Sequence, residues 1–192
     1  VYRPALCHIT PEVVPAVLAL AERDQVPGAT FLAALTVGLE VTARLGAGVD
    51  YPQFRANGWH APGVIGTVGA AAAAARVLGL DDRHTRQAIG LGVSQAAGTF
   101  AAIGTPAVKF HQARGAVSAL WAAAFTAEGT GGPEHALTHP DGGLFSTYAG
   151  SSDPDGVLDG IGERWKLEQI SLRRWPAASS LQSLVDCMVA AE

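Results

Sequence analysis

The chain has 192 residues, of which 48% are hydrophobic and only 16% are charged, and its net charge is −4. This length fits one domain or part of a larger protein, and the low charged share indicates a sizeable core together with an oligomer interface. Because the sequence has no basic run and no aromatic residues interleaved with basic ones, we expect no nucleic-acid partner. We expect no membrane segment either, since there is no signal-peptide pattern and no uninterrupted apolar run of bilayer length.

Two cysteines, Cys7 and Cys187, lie near opposite ends of the chain. This arrangement excludes a disulfide framework and a cysteine metal pair, so we expect the reduced cytoplasm as the compartment. The sequence starts at Val1 rather than at methionine and stops inside a helical pattern, which we interpret as an internal piece of a longer protein.

Helical signals begin at Thr10, which is followed by a proline and an acidic residue and therefore predicts the cap of a first helix. This helix is predicted to end at residues 25–28. A second helix is predicted over residues 30–45, followed by an irregular loop over residues 50–62. The residues of the second helix that we expect to face inwards are Leu32, Leu35, Leu39 and Val41.

Three more helices are predicted over residues 63–78, from Asp81 or Asp82 onwards, and over residues 109–128. The helices predicted over residues 63–78 and 109–128, which are the third and fifth of the chain, carry glycine and alanine along most of their length. This predicts close contact between helix backbones. Short helices are predicted within residues 133–161.

Residues 164–175 alternate large and polar side chains, which predicts the only strand of the chain, and this strand has no partner. Pro176 ends it, and Ser179 or Ser180 is predicted to cap a last helix. The sequence therefore predicts an all-α helical bundle over residues 1–163, and a crossover strand with one helix over residues 164–192 that leads out of the bundle.

His60 is the first residue with possible chemistry, because it lies in a Gly/Pro loop directly before a helix N-terminus. That position suits a carboxylate ligand with an imidazole beside it as acid or base. The residue pattern alone favours the alternative, a loop histidine that is exposed or hydrogen-bonded. The same alternative holds for His8, which lies two residues before the first helix.

The fifth helix begins with three potential cations, Lys109, His111 and Arg114, although a helix N-terminus disfavours positive charge. A bound anion nearby would explain them, and a solvated first turn is the open alternative. The sequence contains no spacing typical of a metal site or of a phosphate-binding loop. Further polar residues that could line the same space are Ser94, Gln95, Thr99 and Thr105.

Four stretches, in order along nearly the whole chain, resemble motifs of the MmgE/PrpD family. They are HITPEVVPAVLALAE (8–22), GLEVTARLG (38–46), GWHAPGVIGTVGAAAAAARVLGL (58–80) and AIGLGVSQAAG (88–98). The family contains 2-methylcitrate dehydratases, cis-aconitate decarboxylases and iminodisuccinate epimerases. The resemblance implies a helical domain, here residues 1–163, and a crossover over residues 164–192 towards a smaller α/β lid domain. It also implies a homodimer, a site for small polycarboxylates between the two domains, and no metal or organic cofactor.

Carried over residue by residue, the resemblance implies that His60, His8 and Lys109 are catalytic. Lys109 lies one residue closer to His111 than in the family pattern K-x-[FL]-H, and one residue rotates a helical side chain by about 100°. The family's histidine near the lid falls on Gln182, which cannot shuttle a proton near neutral pH. An aspartate-rich motif that precedes the first stretch in the family lies outside the sequence. The predicted substrate-binding residues are His111, Gln182, Ser94 and Gln95.

The resulting prediction is a lyase that dehydrates or decarboxylates a 2-methylcitrate-like or aconitate-like acid by acid/base chemistry. Two alternatives remain open. One is an epimerase or isomerase of a small dicarboxylate on the same scaffold, which the glutamine at position 182 favours. The other is a catalytically degenerate paralogue that only dimerises.

Overall fold

A computed structural model describes residues 1–149 and 153–191 of the chain. Eight α-helices are present in this part: α1 Val13–Asp24, α2 Gly28–Gly48, α3 Tyr51–Ala56, α4 Thr67–Val77, α5 Asp82–Ser94, α6 Ala107–Ala127, α7 Pro154–Leu158 and α8 Gln182–Ala190. Shorter turns are the π-helical Pro62–Gly66 and Phe145–Ala149 and the 3-10 helical Phe100–Ala102, Lys166–Gln169 and Ser179–Leu181. The structure confirms the predicted all-α class.

Helix α4 lies at the centre of the bundle, where it packs against α1, α2, α5 and α6. Every residue from Thr67 to Ala75 is buried. A methyl group placed on Gly38 of α2 would lie 2.6 Å from the Cβ of Ala73, and one on Gly69 would lie 2.7 Å from the carbonyl oxygen of Gly38. The small residues therefore allow the α2 and α4 backbones to touch, as the sequence predicted.

Several predicted boundaries shift by a few residues. Helix α1 begins at Val13 rather than directly after Thr10, and α2 extends over Gly28–Gly48. The inward position predicted for Leu32 is wrong, because its side chain is 60% exposed. Leu32 lies two residues before the buried Ala34, which places it about 200° away around the helix. The other three predicted inward residues, Leu35, Leu39 and Val41, are half-buried.

The loop predicted over residues 50–62 contains helix α3. Its cap is Asp50, whose side chain accepts a hydrogen bond from the backbone N–H of Gln53 at 3.2 Å, and Pro52 lies in the first turn. The short helices predicted within residues 133–161 correspond to the π-helical turn Phe145–Ala149 and to α7. Residues 150–152 lie outside the described part. Asp81 caps α5 as predicted, whereas no side chain caps α8.

The crossover strand predicted over residues 164–175 is wrong, since this stretch holds a 3-10 turn and one isolated bridge between Tyr2 and Ile170. A buried ion pair on α2, in which Arg44 Nε lies 2.7 Å from Glu40 Oε1, binds the beginning of this stretch and the residues before it. Within the stretch, the two side chains occupy backbone groups of residues 164, 166 and 167, which are then not available to a strand ladder. The Glu40 carboxylate accepts from the N–H groups of Lys166 and Leu167, and Arg44 donates to the carbonyl groups of Val157, Asp159, Gly160 and Arg164.

Helix α2 is the one helix in the described part that is long and apolar enough to cross a membrane. Its apolar residues pack on α1 and α4, and it carries the buried Glu40–Arg44 pair. We therefore assign α2 to the core of the bundle.

Candidate active site

Two loops hold His60 at the end of the α3 region, just before α4. The backbone N–H of His60 donates to the carbonyl group of Gly98 at 3.0 Å, and Trp59 and Thr99 form an isolated bridge. The Phe100 N–H donates to Gly58 at 2.6 Å. The backbone on either side of His60 is thereby fixed, and the residue is only 6% exposed.

His60 faces His111 from α6, with 3.2 Å between the two Nδ1 atoms. At this distance one nitrogen carries a proton and the other accepts it. Gly98 makes room for the pair, because a Cβ on it would lie 2.9 Å from the His111 Nδ1 atom. Burial, which is the largest cause, lowers the pKa of His60 to about 4 together with the charges of the nearby His111, His8, Arg55 and Lys109. The His60 imidazole is therefore neutral at neutral pH.

His8 lies in a cavity of about 320 Å³ that Lys109, Gln112 and Arg173 also line. The Arg173 Nη2 atom lies 3.4 and 3.3 Å from the two ring nitrogens of His8. Burial, Arg173, the amino group of Val1 and Lys109 lower the pKa of His8 to about 4. Among the described residues no carboxylate lines this cavity, so it presents two permanent side-chain cations beside a neutral imidazole.

Lys109 lies at a cavity in spite of its changed spacing from His111. Although it lies one residue closer to His111 than the family pattern, it lines the His8 cavity and lowers the pKa of both His8 and His60. His111 lines a second cavity of about 260 Å³ together with Gln95 and Arg114. Helix α6 thus presents different side chains to two cavities.

Two predicted substrate-binding residues have their described contacts elsewhere. Ser94 donates to the carbonyl group of Gly90 at 3.1 Å and lines a separate cavity with Tyr148. Gln182 accepts from the Trp175 N–H at 2.9 Å and donates to the carbonyl groups of residues 175, 177 and 178. Their roles in binding stay predictions, while Gln95 shares a cavity with His111.

Sequence reasoning did not single out Arg173 and Arg55. Arg173 lies in the segment that we predicted as a strand, and the adjacent arginine pair before Trp-Pro was the available signal. The Arg55 guanidinium carbon lies 3.1 Å from the centroid of the Phe100 ring, in the loop beside His60. No local pattern predicts that contact, because it depends on how the two loops meet.

Glu12 was also missed, since the sequence analysis considered it only as the acidic residue at the beginning of the first helix. It is fully buried against the π-helical turn Pro62–Gly66 and α6, and neither carboxyl oxygen has a hydrogen-bond partner among the described residues. Added Cβ atoms would lie 2.6 Å from Glu12 Cδ at Gly66 and 3.0 Å from Glu12 Cγ at Gly115. Burial raises the pKa of Glu12 to about 9, so this carboxyl group is neutral at pH 7.

The fold agrees with comparisons to known proteins. Residues 1–156 match the MmgE/PrpD N-terminal domain, and the chain belongs to this family. Among curated proteins, it is 31% identical over 186 residues to cis-aconitate decarboxylase of Homo sapiens, which covers 93% of this chain and 38% of the relative. It is 28% identical over 189 residues to the Mus musculus protein of the same name, covering 95% of this chain and 38% of the relative.

A fungal protein is similar to the same extent. The cis-aconitate decarboxylase-like protein oryM of Aspergillus oryzae is 29% identical over 180 residues, which covers 86% of this chain and 37% of that protein. The chain therefore spans less than two fifths of the length of these curated relatives.

Proposed function

We propose that this chain carries the acid/base part of a lyase site that acts on a small polycarboxylate of the cis-aconitate type. The observation that carries the proposal is the cavity in which Lys109 and Arg173 lie beside the imidazole of His8, with no described carboxylate in its lining. The names of the curated relatives support the same substrate class.

In this proposal Lys109 and Arg173 bind substrate carboxylates through charge-assisted hydrogen bonds. His8 is the residue next to the bound acid, and the buried His60 moves the proton as general acid or base. Decarboxylation breaks a C–C bond, releases CO₂ and needs one proton delivered to the remaining carbon. Dehydration instead needs one proton taken from carbon and one given to the leaving hydroxide.

The described residues hold no group of three or more His, Cys, Asp or Glu side chains that could share a metal ion. We propose cofactor-independent chemistry because proton transfer and charge stabilisation by these side chains suit both reactions. We further propose a homodimer and a reduced cytoplasm as the setting. Both cysteines are free, Cys7 buried and Cys187 exposed, which supports the second point.

Binding is the first property to test, using the purified chain with ¹⁵N-labelled histidine. Titration with cis-aconitate is expected to raise the pKa of His8, because the bound anion offsets the charges of Lys109 and Arg173. Arg173→Met and Lys109→Met are each expected to weaken binding at least about tenfold, since each removes a charge-assisted contact. Arg174→Met is the matched control, because Arg174 pairs with Asp186 instead. Equal losses in all three variants would contradict the proposed cavity.

Turnover is the second property, followed by NMR in D₂O with cis-aconitate, citrate, 2-methylcitrate and iminodisuccinate. The expected result is either a decarboxylated product with deuterium at carbon or a dehydrated product that has lost a proton from carbon, and neither is expected to form with His60→Asn. An epimerised product without loss of CO₂ or water would replace the lyase by an isomerase. Binding without any turnover, in a chain shown to be folded, would refute the catalytic proposal for this chain.

A further inference from the structure

The His60–His111 pair is the only described side-chain hydrogen bond that either imidazole makes. Both rings use Nδ1 for it, which leaves Nε2 of each ring free for another partner. Because one proton lies between two Nδ1 atoms, its position decides the tautomer of both rings. When it belongs to His60, neutral His60 has a bare Nε2 and is a base. When it belongs to His111, neutral His60 carries its proton on Nε2 and is an acid.

We propose that His111 is a positioning residue that switches His60 between its base and acid forms by passing the shared proton across the Nδ1–Nδ1 hydrogen bond. His60 itself is almost completely enclosed, with 6% of its surface exposed. His111 is half-buried and lines the 260 Å³ cavity with Thr67, Gln95 and Arg114. This cavity is distinct from the one that holds His8, so the switch has its own route to water.

The proton count closes for both directions of transfer. When Nε2 of His60 takes a proton from a substrate C–H bond, the electron pair stays on the substrate and the Nδ1 proton moves to Nδ1 of His111. His111 then releases its Nε2 proton to water in the second cavity. Both rings end neutral, with His60 now in its acid form.

Delivery of a proton runs the same moves backwards and restores the base form. A dehydration, which takes one proton and then gives one, returns the pair to its starting arrangement. A decarboxylation needs only the delivery. The pair is then reset when Nε2 of His60 takes a proton from water, the Nδ1 proton moves to His111, and His111 releases its Nε2 proton to water.

The surroundings favour moving the proton over charging either ring permanently. The groups that face His60 are the cations Arg55 and Lys109 and the imidazoles His111 and His8, and none of them stabilises an imidazolium. The lowered pKa of His60 agrees with this geometry. These neighbours therefore favour a pair of neutral rings that share one mobile proton.

The test begins with the wild-type chain and needs no substrate. ¹⁵N NMR at neutral pH is expected to give His60 ring nitrogen shifts between the values of a protonated and a bare nitrogen, with a coupling between the two Nδ1 nuclei. In His111→Asn the side-chain amide can donate to or accept from Nδ1 of His60 but cannot pass a proton on, so His60 is expected to be fixed in a single tautomer. Phe110→Leu, which alters an exposed neighbour in the same cavity, is the control and should leave the averaged shifts unchanged. A single fixed tautomer of His60 in the wild-type chain would overturn the proposal, even if no variant folds.

The role in turnover rests on the proposed function. His111→Asn is expected to lower the rate of deuterium transfer between D₂O and substrate carbon at least about tenfold, with substrate affinity unchanged. A larger solvent isotope effect should accompany the loss. If the His60 ring nitrogen shifts are averaged but the chain binds no polycarboxylate, the proton switch is supported and the proposed function is refuted. The two failures are therefore distinguishable. Unchanged transfer in His111→Asn would overturn the switch.

Discussion

The buried carboxyl group of Glu12 predicts an unusual dependence of stability on pH. Glu12 is fully enclosed, both its oxygens lack a partner among the described residues, and burial raises its pKa to about 9. The folded chain therefore keeps a proton that the unfolded chain loses above the ordinary glutamate pKa. Since the unfolded state binds fewer protons in this range, stability falls as pH rises from about 4.5 towards 9.

Replacing Glu12 by glutamine removes this penalty while keeping the size of the side chain. At pH 7 the ionisation of Glu12 stabilises the unfolded chain, because pH 7 lies about 2.5 units above the ordinary glutamate pKa and each unit corresponds to about 1.4 kcal/mol. Glu12→Gln removes this effect and is therefore expected to stabilise the fold by up to about 3 kcal/mol. At about pH 5 the gain is expected to be less than about 1 kcal/mol. Urea unfolding of both chains across this range, followed by circular dichroism, measures the difference.

The control is Glu22→Gln, which changes an exposed glutamate of the same helix. Its effect on the free energy of unfolding is expected to be within about 0.5 kcal/mol at every pH. Titration of the histidines is common to all three chains and cancels in the comparison. A gain in Glu12→Gln that does not grow with pH would refute the reasoning, because it would mean that the native carboxyl group is ionised and has a partner.

Three further changes have expected outcomes. Gly69→Ala should lower the free energy of unfolding by at least about 2 kcal/mol in urea titrations, because the new methyl group would overlap the α2 backbone; Gly28→Ala, with open space around it, should be neutral or stabilising. Arg44→Met should cost about 3–5 kcal/mol and speed amide hydrogen exchange in the segment it binds, since its buried carboxylate partner is left unpaired; unchanged exchange would contradict this. Arg173→Ala should raise the pKa of His8 in an NMR titration, while burial, the larger cause, keeps it below its ordinary value; a lower pKa would contradict the contact.

The helical architecture could be predicted because its signals are local. A run of glycine and alanine can only bury itself where backbones come close, and α4 does so at the centre of the bundle. The segment 164–175 could not be predicted in the same way. Its alternating pattern is real, but backbone groups at its beginning are bound by Glu40 and Arg44, which lie more than 100 residues earlier in the chain.

In the candidate site, too, local motifs could be predicted and contacts between distant residues could not. His60 and His8 stand in recognisable motifs, so the sequence predicted both as candidates. The packing of α6 brings His111 to His60, which lies 51 residues earlier in the chain. The packing of the C-terminal segment brings Arg173 to His8, which lies 165 residues earlier. Neither contact could be predicted from a local pattern. Glu12 depends on tertiary packing in the same way, since the local pattern identified it only as a signal for a helix start and did not indicate that the bundle buries it.

In the proposed function, the charges of the site couple substrate binding to proton transfer. Burial is the largest cause of the lowered pKa values of His8 and His60, and the charges of Lys109 and Arg173 add to it at His8, as that of Lys109 does at His60, so in the empty site both imidazoles are neutral. A polycarboxylate bound to the two cations would offset their charge and raise both pKa values, while burial keeps them below the ordinary range. Each imidazole would then accept a further proton more readily while substrate is present. The cations would thus bind the acid and also favour proton transfer in the occupied site.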